Sequence, residues 1–172
     1  MKKHFIIYLS IFALSTLFTN CKSDKKENTS ESIIVAADDS DMNKAIKTAQ
    51  ASFDKFKEAF IENEKSNKYN NFLVKQSFTS KDNQVEHMWI YGLQYDGKQF
   101  KGFLANTPIH DMDIQVEDEV IIDPSKISDW TYTEIETGNT HGGFSLKVIR
   151  DMMSDEDKAQ FDSQHQGVFV DW

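Results

Sequence analysis

The chain opens on an apolar run and does not repeat one. After a basic start at Lys2 and Lys3, the residues from Phe5 to Phe18 are almost all hydrophobic. A helix rising 1.5 Å per residue needs roughly 20 residues to span a bilayer, so this shorter run reads as the core of a signal peptide over residues 1–20. Residues 22–39 are rich in Lys, Ser, Asp, Glu, Asn and Thr and read as a flexible, charged linker, with the patch Ile33-Ile34-Val35 kept inside it rather than read as a strand. From Met42 to Glu64 the pattern becomes helical. Met42, Ala45, Ile46, Ala49, Phe53, Phe56 and Phe60 recur at spacings of three and four, which lines them on one stripe of a long amphipathic helix. Asp39, Ser40 or Asp41 is placed to cap it.

After a polar break from Asn63 to Asn71, period two takes over. Phe72, Val74 and Phe78 alternate with Lys75 and Ser77, predicting a half-buried strand. Val85 to Tyr95 predicts a longer strand, Asp96-Gly97 a hairpin turn, and Lys98 to Asn106 the return strand. Gly102 inside that strand implies a bulge or a close approach of another backbone. Short strands follow from Val116 or Glu119 to Ile122 and from Trp130 to Ile135. Thr137 to Gly143 reads as a turn-rich loop. In Phe144 to Met153, Phe144, Leu146 and Val148 alternate like a strand while Leu146, Ile149 and Met153 fit a helix; the helix is favoured because Ser154 then caps another short helix ending near Phe161. The apolar tail from Val168 to Trp172 is expected to pack back on the sheet. The prediction is one α+β domain over residues 40–172: a helix, an antiparallel meander of about five strands, and short C-terminal helices. A small barrel of SH3-like type is the alternative closure for such aromatic strands.

Charge and cysteine content change where this domain is expected to work. Cys21 is the one cysteine, so an exported form has no partner for an internal disulfide. The segment Leu17-Phe18-Thr19-Asn20-Cys21 resembles the lipobox of bacterial lipoprotein signal peptides, with Asn20 departing from the usual Gly, Ala or Ser. That resemblance implies cleavage before Cys21, diacylglycerol on its thiol and acylation of the new amino group, palmitate-type chains that bury about 0.8 kcal/mol per CH₂ in a membrane. The expected location is the bacterial cell envelope, on the outer membrane, facing the periplasm or the cell surface. The net charge of −9 becomes about −11 once Lys2 and Lys3 leave with the leader. Such a surface excludes nucleic acid as a partner, because that binding rests on Lys and Arg neutralising phosphates.

Several motifs in a fixed order then carry a family resemblance. They are Met42-Asn43-Lys44-Ala45-Ile46 with Ala49, Glu86-His87-Met88-Trp89, Asp96-Gly97 with Phe100 and Gly102, and Asn106 with Pro108. They continue through Val116-Glu117-Asp118-Glu119-Val120, Ile127-Ser128-Asp129-Trp130 with Tyr132, Gly142-Gly143-Phe144-Ser145-Leu146, and Ile149-Arg150. Together these resemble the bacterial domain of unknown function family 2314, with a departure at Glu117-Asp118, where that family often has a glycine. The resemblance implies a shared fold and carries over no catalytic residue, cofactor or substrate.

The candidate chemistry is sparse. Strand alternation places His87 with Trp89 and Tyr91 on one face and Glu86 on the other, so Glu86 and His87 do not form an acid–base pair. His87 reads either as a hydrogen-bonded interior histidine or as part of a pocket. Asp129 is expected to cap the preceding turn or bond a backbone amide while Trp130 fills core. Gly142-Gly143 serves either a turn of positive φ or an anion cradle of bare N–H groups. His110-Asp111-Met112-Asp113, with His141 and His87, holds nitrogen and oxygen donors but no metal-binding spacing, and no cofactor is expected. The leading expectation is a non-enzymatic binding module whose surface for an envelope protein or small ligand comprises His87, Trp89, Tyr91, Asp129, Trp130, His141, Gly142 and Gly143. One alternative is a hydrolase using His87, His141 and Asp111 or Asp129, which requires those side chains to converge. The other is an immunity-like or stress-protective protein whose acidity suits a basic partner.

Overall fold

The computed structural model describes residues 4–6, 34–36, 39–164 and 168–171. Cys21, most of the leader and linker, and Trp172 lie outside the described residues. The first two strands, β1 (His4–Ile6) and β2 (Ile34–Ala36), pair antiparallel. This corrects the reading of the Ile34-Val35 patch as linker: β-branched residues favour extended backbone when a pairing partner is present. No helix among the described residues is long and apolar enough to cross a membrane.

The predicted long helix is two: α1 (Ser40–Ala51) and α2 (Phe53–Ser66). Asp39 caps the first, accepting the Met42 N–H at 2.8 Å. Ser52 makes the break. Its hydroxyl donates to Thr48 O at 2.6 Å, competing with the backbone for a helical acceptor and bending the chain there. α2 ends on Asn67 in the left-handed region. The Asn63 side chain then clamps Tyr69, donating to its carbonyl at 2.9 Å and accepting its N–H at 2.8 Å. That clamp starts the next strand within the stretch read as a break.

Six strands form the main sheet: β3 (Tyr69–Thr79), β4 (Val85–Tyr95), β5 (Phe100–Leu104), β6 (Glu119–Ile121), β7 (Ile127–Glu134) and β8 (Thr140–Gly142), in the order β6-β5-β4-β3-β7-β8. Every pairing is antiparallel. β6 and β8 lie at the two edges, so the described strands make an open sheet and not a small barrel. β8 arises inside the expected loop of residues 137–143, because β7 offers it a partner: Thr131 pairs with Gly142 and Thr133 with Thr140. The tail adds to that edge as expected, with Phe169 bridging Thr140 in parallel.

One register row explains the core. Trp130, Val74, Ile90 and Leu104 are neighbours across β7, β3, β4 and β5, and all are buried. They face α1 and α2, whose Ala49 and Phe56 are fully buried. The Phe56 ring meets those of Phe53, Phe60, Phe72, Phe100, Trp130 and Tyr132. Truncating such a residue typically costs about 3–5 kcal/mol. Gly102 meets its predicted requirement, since a Cβ there would lie 2.6 Å from the Tyr91 carbonyl. The chain closes with α3 (Phe144–Met152) and α4 (Asp155–Ser163), the latter capped by Ser154. Fold class is α+β.

Candidate functional site

Alternation along β4 divides the sheet into two faces. Glu86, Met88 and Ile90 are buried on the helix side. His87, Trp89 and Tyr91 are half-buried on the other side, as the period-two reading requires. On that second face, cross-strand register aligns Asp129 of β7 with Lys75 of β3, and Lys75 with Trp89 of β4. His87 lies one row away, opposite Ser77.

Lys75 is the buried lysine of this face, only 2% exposed. β3 is an inner strand, so its second face is shielded by neighbours on both sides, and alternation alone does not show that. The Lys75 Nζ lies 5.3 Å from the centroid of the Trp89 ring, within cation–π range. Burial lowers its pKa to about 8, with the Asp129 charge opposing that shift. Burial, then the nearby Lys75 charge, lowers the His87 pKa to about 3, so its imidazole is neutral at ordinary pH. Tyr91 donates its hydroxyl to the Glu117 carboxylate. Glu117 itself has φ 73, the left-handed conformation that a glycine adopts freely.

Asp129 bonds backbone amides, as one of the two expectations had it, but the helix it serves follows rather than precedes it. Fully buried, it accepts from Trp130 N at 2.8 Å, Phe144 N at 3.1 Å, Ser145 N at 2.8 Å and Ser145 Oγ at 2.6 Å. Phe144 N and Ser145 N are first-turn amides of α3, where a carboxylate also meets the positive end of the helix dipole. Burial raises the Asp129 pKa while the Ser145 hydroxyl and Lys75 pull it down. Trp130 fills core and donates Nε1–H to Ala49 O at 3.0 Å, tying α1 to the sheet.

Gly142 and Gly143 have φ of 75 and 76, so the turn explanation holds. Their amides are taken up by the chain, Gly142 N by Asp171 at 2.8 Å and Gly143 N by Trp130 O at 2.9 Å. The anion-cradle alternative therefore has no free donors at this turn. His141 stacks on Tyr132, with ring centroids 4.6 Å apart, and its Nδ1 lies 3.5 Å from Asp171. Asp111 is exposed and pairs with Lys81 at 3.0 Å.

The structure therefore does not assemble the hydrolase set. His87 is on the second face, Asp129 is engaged by α3, His141 lies beside Tyr132, and Asp111 is on a solvent ion pair. Among the described residues, no group of three His, Cys, Asp or Glu side chains is placed to hold a metal ion. Of the eight surface candidates, His87, Trp89 and Tyr91 share a face, Asp129 lies in the same row, and Trp130, His141, Gly142 and Gly143 serve the core and the α3 turn. Sequence reasoning also missed the buried Glu86, whose carboxylate accepts Ile109 N at 3.0 Å and His110 N at 2.6 Å and so pins the loop after β5.

A family model described as "Uncharacterized protein conserved in bacteria (DUF2314)" matches residues 39–169. A "putative ankyrin repeat protein" of Neisseria meningitidis serogroup B is 31% identical over 78 residues, 45% of this chain and 30% of that protein. The uncharacterized protein YegJ of Escherichia coli K12 is 31% identical over 108 residues, 63% of this chain and 66% of that protein. The chain thus spans less than two thirds of each of these relatives. No solved structure matches.

Proposed function

The chain belongs to the DUF2314 family of uncharacterised bacterial proteins, and from that premise we propose that it is a non-enzymatic binding module of the cell envelope, tethered by lipid on Cys21. Its binding face is the second face of the sheet, around Trp89. The observation that carries this reading is the row Asp129, Lys75, Trp89, in which a lysine is almost fully buried beside an aromatic ring. Burying an ammonium costs several kcal/mol unless it is well paired, so a leucine would fill this place more stably. Places where a local rule is broken in this way are where functional sites concentrate. Half-buried His87, Trp89 and Tyr91 give the row an aromatic rim. The other chemically active side chains are consumed by structure: Asp129 and Glu86 hold backbone amides, and His141 packs on Tyr132. One relative contains the matched stretch within a longer chain, which supports a portable module.

The tether rests on the apolar leader, the lone Cys21 and the charged segment after it. Mass spectrometry of the protein recovered from membranes tests it: an N-terminal acylated Cys21 is expected, and an uncut leader or a bare thiol removes the anchor. The binding face is tested by affinity purification from envelope extracts of wild type and Trp89→Ala, with circular dichroism showing both folded. A partner or ligand retained by wild type and lost by the variant is expected. Equal retention by both would move the binding surface elsewhere.

A further inference from the structure

α3 carries two apolar stripes. Leu146 and Ile149 form the inner one and are buried. Phe144, Val148 and Met152, each four residues on, form the second. Phe144 and Val148 are half-buried, and Met152 is 47% exposed. The second stripe borders α1. Met42 shares a buried cluster with Ile149, while Ala49 and Phe144 both meet Trp130, so α1 and α3 run antiparallel. Between them lies an open groove of about 640 Å³, lined along about two turns of each helix. Ala45, Phe144, Val148 and Met152 supply its apolar surface, with Asp41 and Asp151 toward one end and Asp171 toward the other. Neither Lys75 nor Trp89 lines it, so it is a separate surface from the Trp89 face.

We infer that this groove docks a basic amphipathic helix of a partner protein. A channel between two antiparallel helices accepts the ridge of a third, and an exposed methionine adapts to an apolar anchor. Charge selects the chemistry of the partner. The lining cations are Lys44 and Lys147, and Lys147 is already paired with Asp151 at 2.5 Å. α4 starts three residues beyond Met152, so its exposed first-turn acids Asp155, Glu156 and Asp157 extend the acidic rim past that end. Lys or Arg on the flanks of a docked helix would meet these carboxylates while its apolar face covers Val148 and Met152. A second copy of this chain is a poorer occupant, since it brings the same acidic rim and a net charge of −9.

The test uses the purified full chain and a fluorescent Leu/Lys peptide of helical period, about 14 residues long, which spans roughly 21 Å as a helix. A scrambled peptide of the same composition has the charge without the apolar stripe. Fluorescence anisotropy is expected to show binding of the first and at least tenfold weaker binding of the second. Met152→Lys, and separately Asp41→Asn with Asp151→Asn, are each expected to weaken binding by about tenfold. These side chains are exposed, and circular dichroism checks that the variants stay folded. Glu58→Gln on α2 and Trp89→Ala are expected to bind as wild type does. Equal binding of the two peptides, or an equal loss in Glu58→Gln, would reduce the effect to the charge of the whole protein and overturn the proposal. Loss in Trp89→Ala with none in Met152→Lys would put the peptide on the other face and overturn it too. A dimer in sedimentation that Met152→Lys dissociates would show a second copy in the groove, against the proposal.

Discussion

Replacing Asp129 by alanine removes the acceptor for three backbone amides and one hydroxyl, all in buried or part-buried positions. Each donor left unpaired costs about 1–3 kcal/mol, and water entering the vacated space recovers part of that. Lys75 also loses the opposite charge in its row. The net loss is about 3–5 kcal/mol, the range seen when one partner of a buried charged network is deleted. For a domain of this size that is a Tm drop of roughly 10–20 °C. Ser145→Ala, which deletes the hydroxyl alone, costs about 1 kcal/mol. Asp129→Asn falls between the two, because its amide NH₂ turns a donor toward the α3 amides. Urea unfolding followed by circular dichroism measures all three. An Asp129→Ala variant within about 0.5 kcal/mol of wild type would refute the capping role, since Asp129 is the acceptor of both α3 amides.

Gly142→Ala is expected to be strongly destabilising, because its Cβ would lie 2.0 Å from the Trp130 carbonyl at a φ of 75; a Tm equal to wild type would contradict the turn described. Glu117→Gly is expected to be neutral or slightly stabilising, relief of left-handed strain of about 1 kcal/mol offsetting the exposed bond to Tyr91, and a clear loss by urea unfolding would show that the bond dominates. His87 is held neutral in the fold down to about pH 3, while the unfolded chain takes up a proton below its ordinary 6.5. Stability therefore falls as pH drops through that window, at up to about 1.4 kcal/mol per unit, and His87→Gln is expected to lose about 2 kcal/mol less than wild type between pH 7 and 4.5. Lys75 has the same sign on the alkaline side: with a folded pKa of about 8 against 10.5, the unfolded state binds more protons, so its burial cost is relieved as pH rises from 8 to 10. Lys75→Met should abolish that rise in urea stability.

Much of this fold was legible because the patterns are long. The stripe from Met42 to Phe60 put Ala49 and Phe56 on the buried side. Eleven alternating residues marked β4 from Val85 to Tyr95. The break at Ser52 was not legible, because a hydroxyl competing for a helical carbonyl leaves the hydrophobic stripe unchanged. β8 was hidden because Thr140 to Gly142 carries turn chemistry and becomes a strand only when β7 and the tail flank it. The candidate site divides in the same way. Alternation grouped His87, Trp89 and Tyr91 from local sequence. Lys75 joined them only through pairing across β3 and β4, and its burial depends on the order of strands, which period two does not encode. Asp129 was legible as an amide acceptor, while the identity of those amides depended on where α3 begins.

The central claim is that the face bearing Trp89, and not the surface of α2, meets the envelope ligand or partner. Site-specific photocrosslinking in intact cells tests it most directly, with a benzoylphenylalanine at Tyr91 on the second face or at the exposed Glu58 on α2. The account predicts a discrete crosslinked species from position 91, absent from position 58 and suppressed by Trp89→Ala. Crosslinks from position 58 with none from position 91 would contradict it.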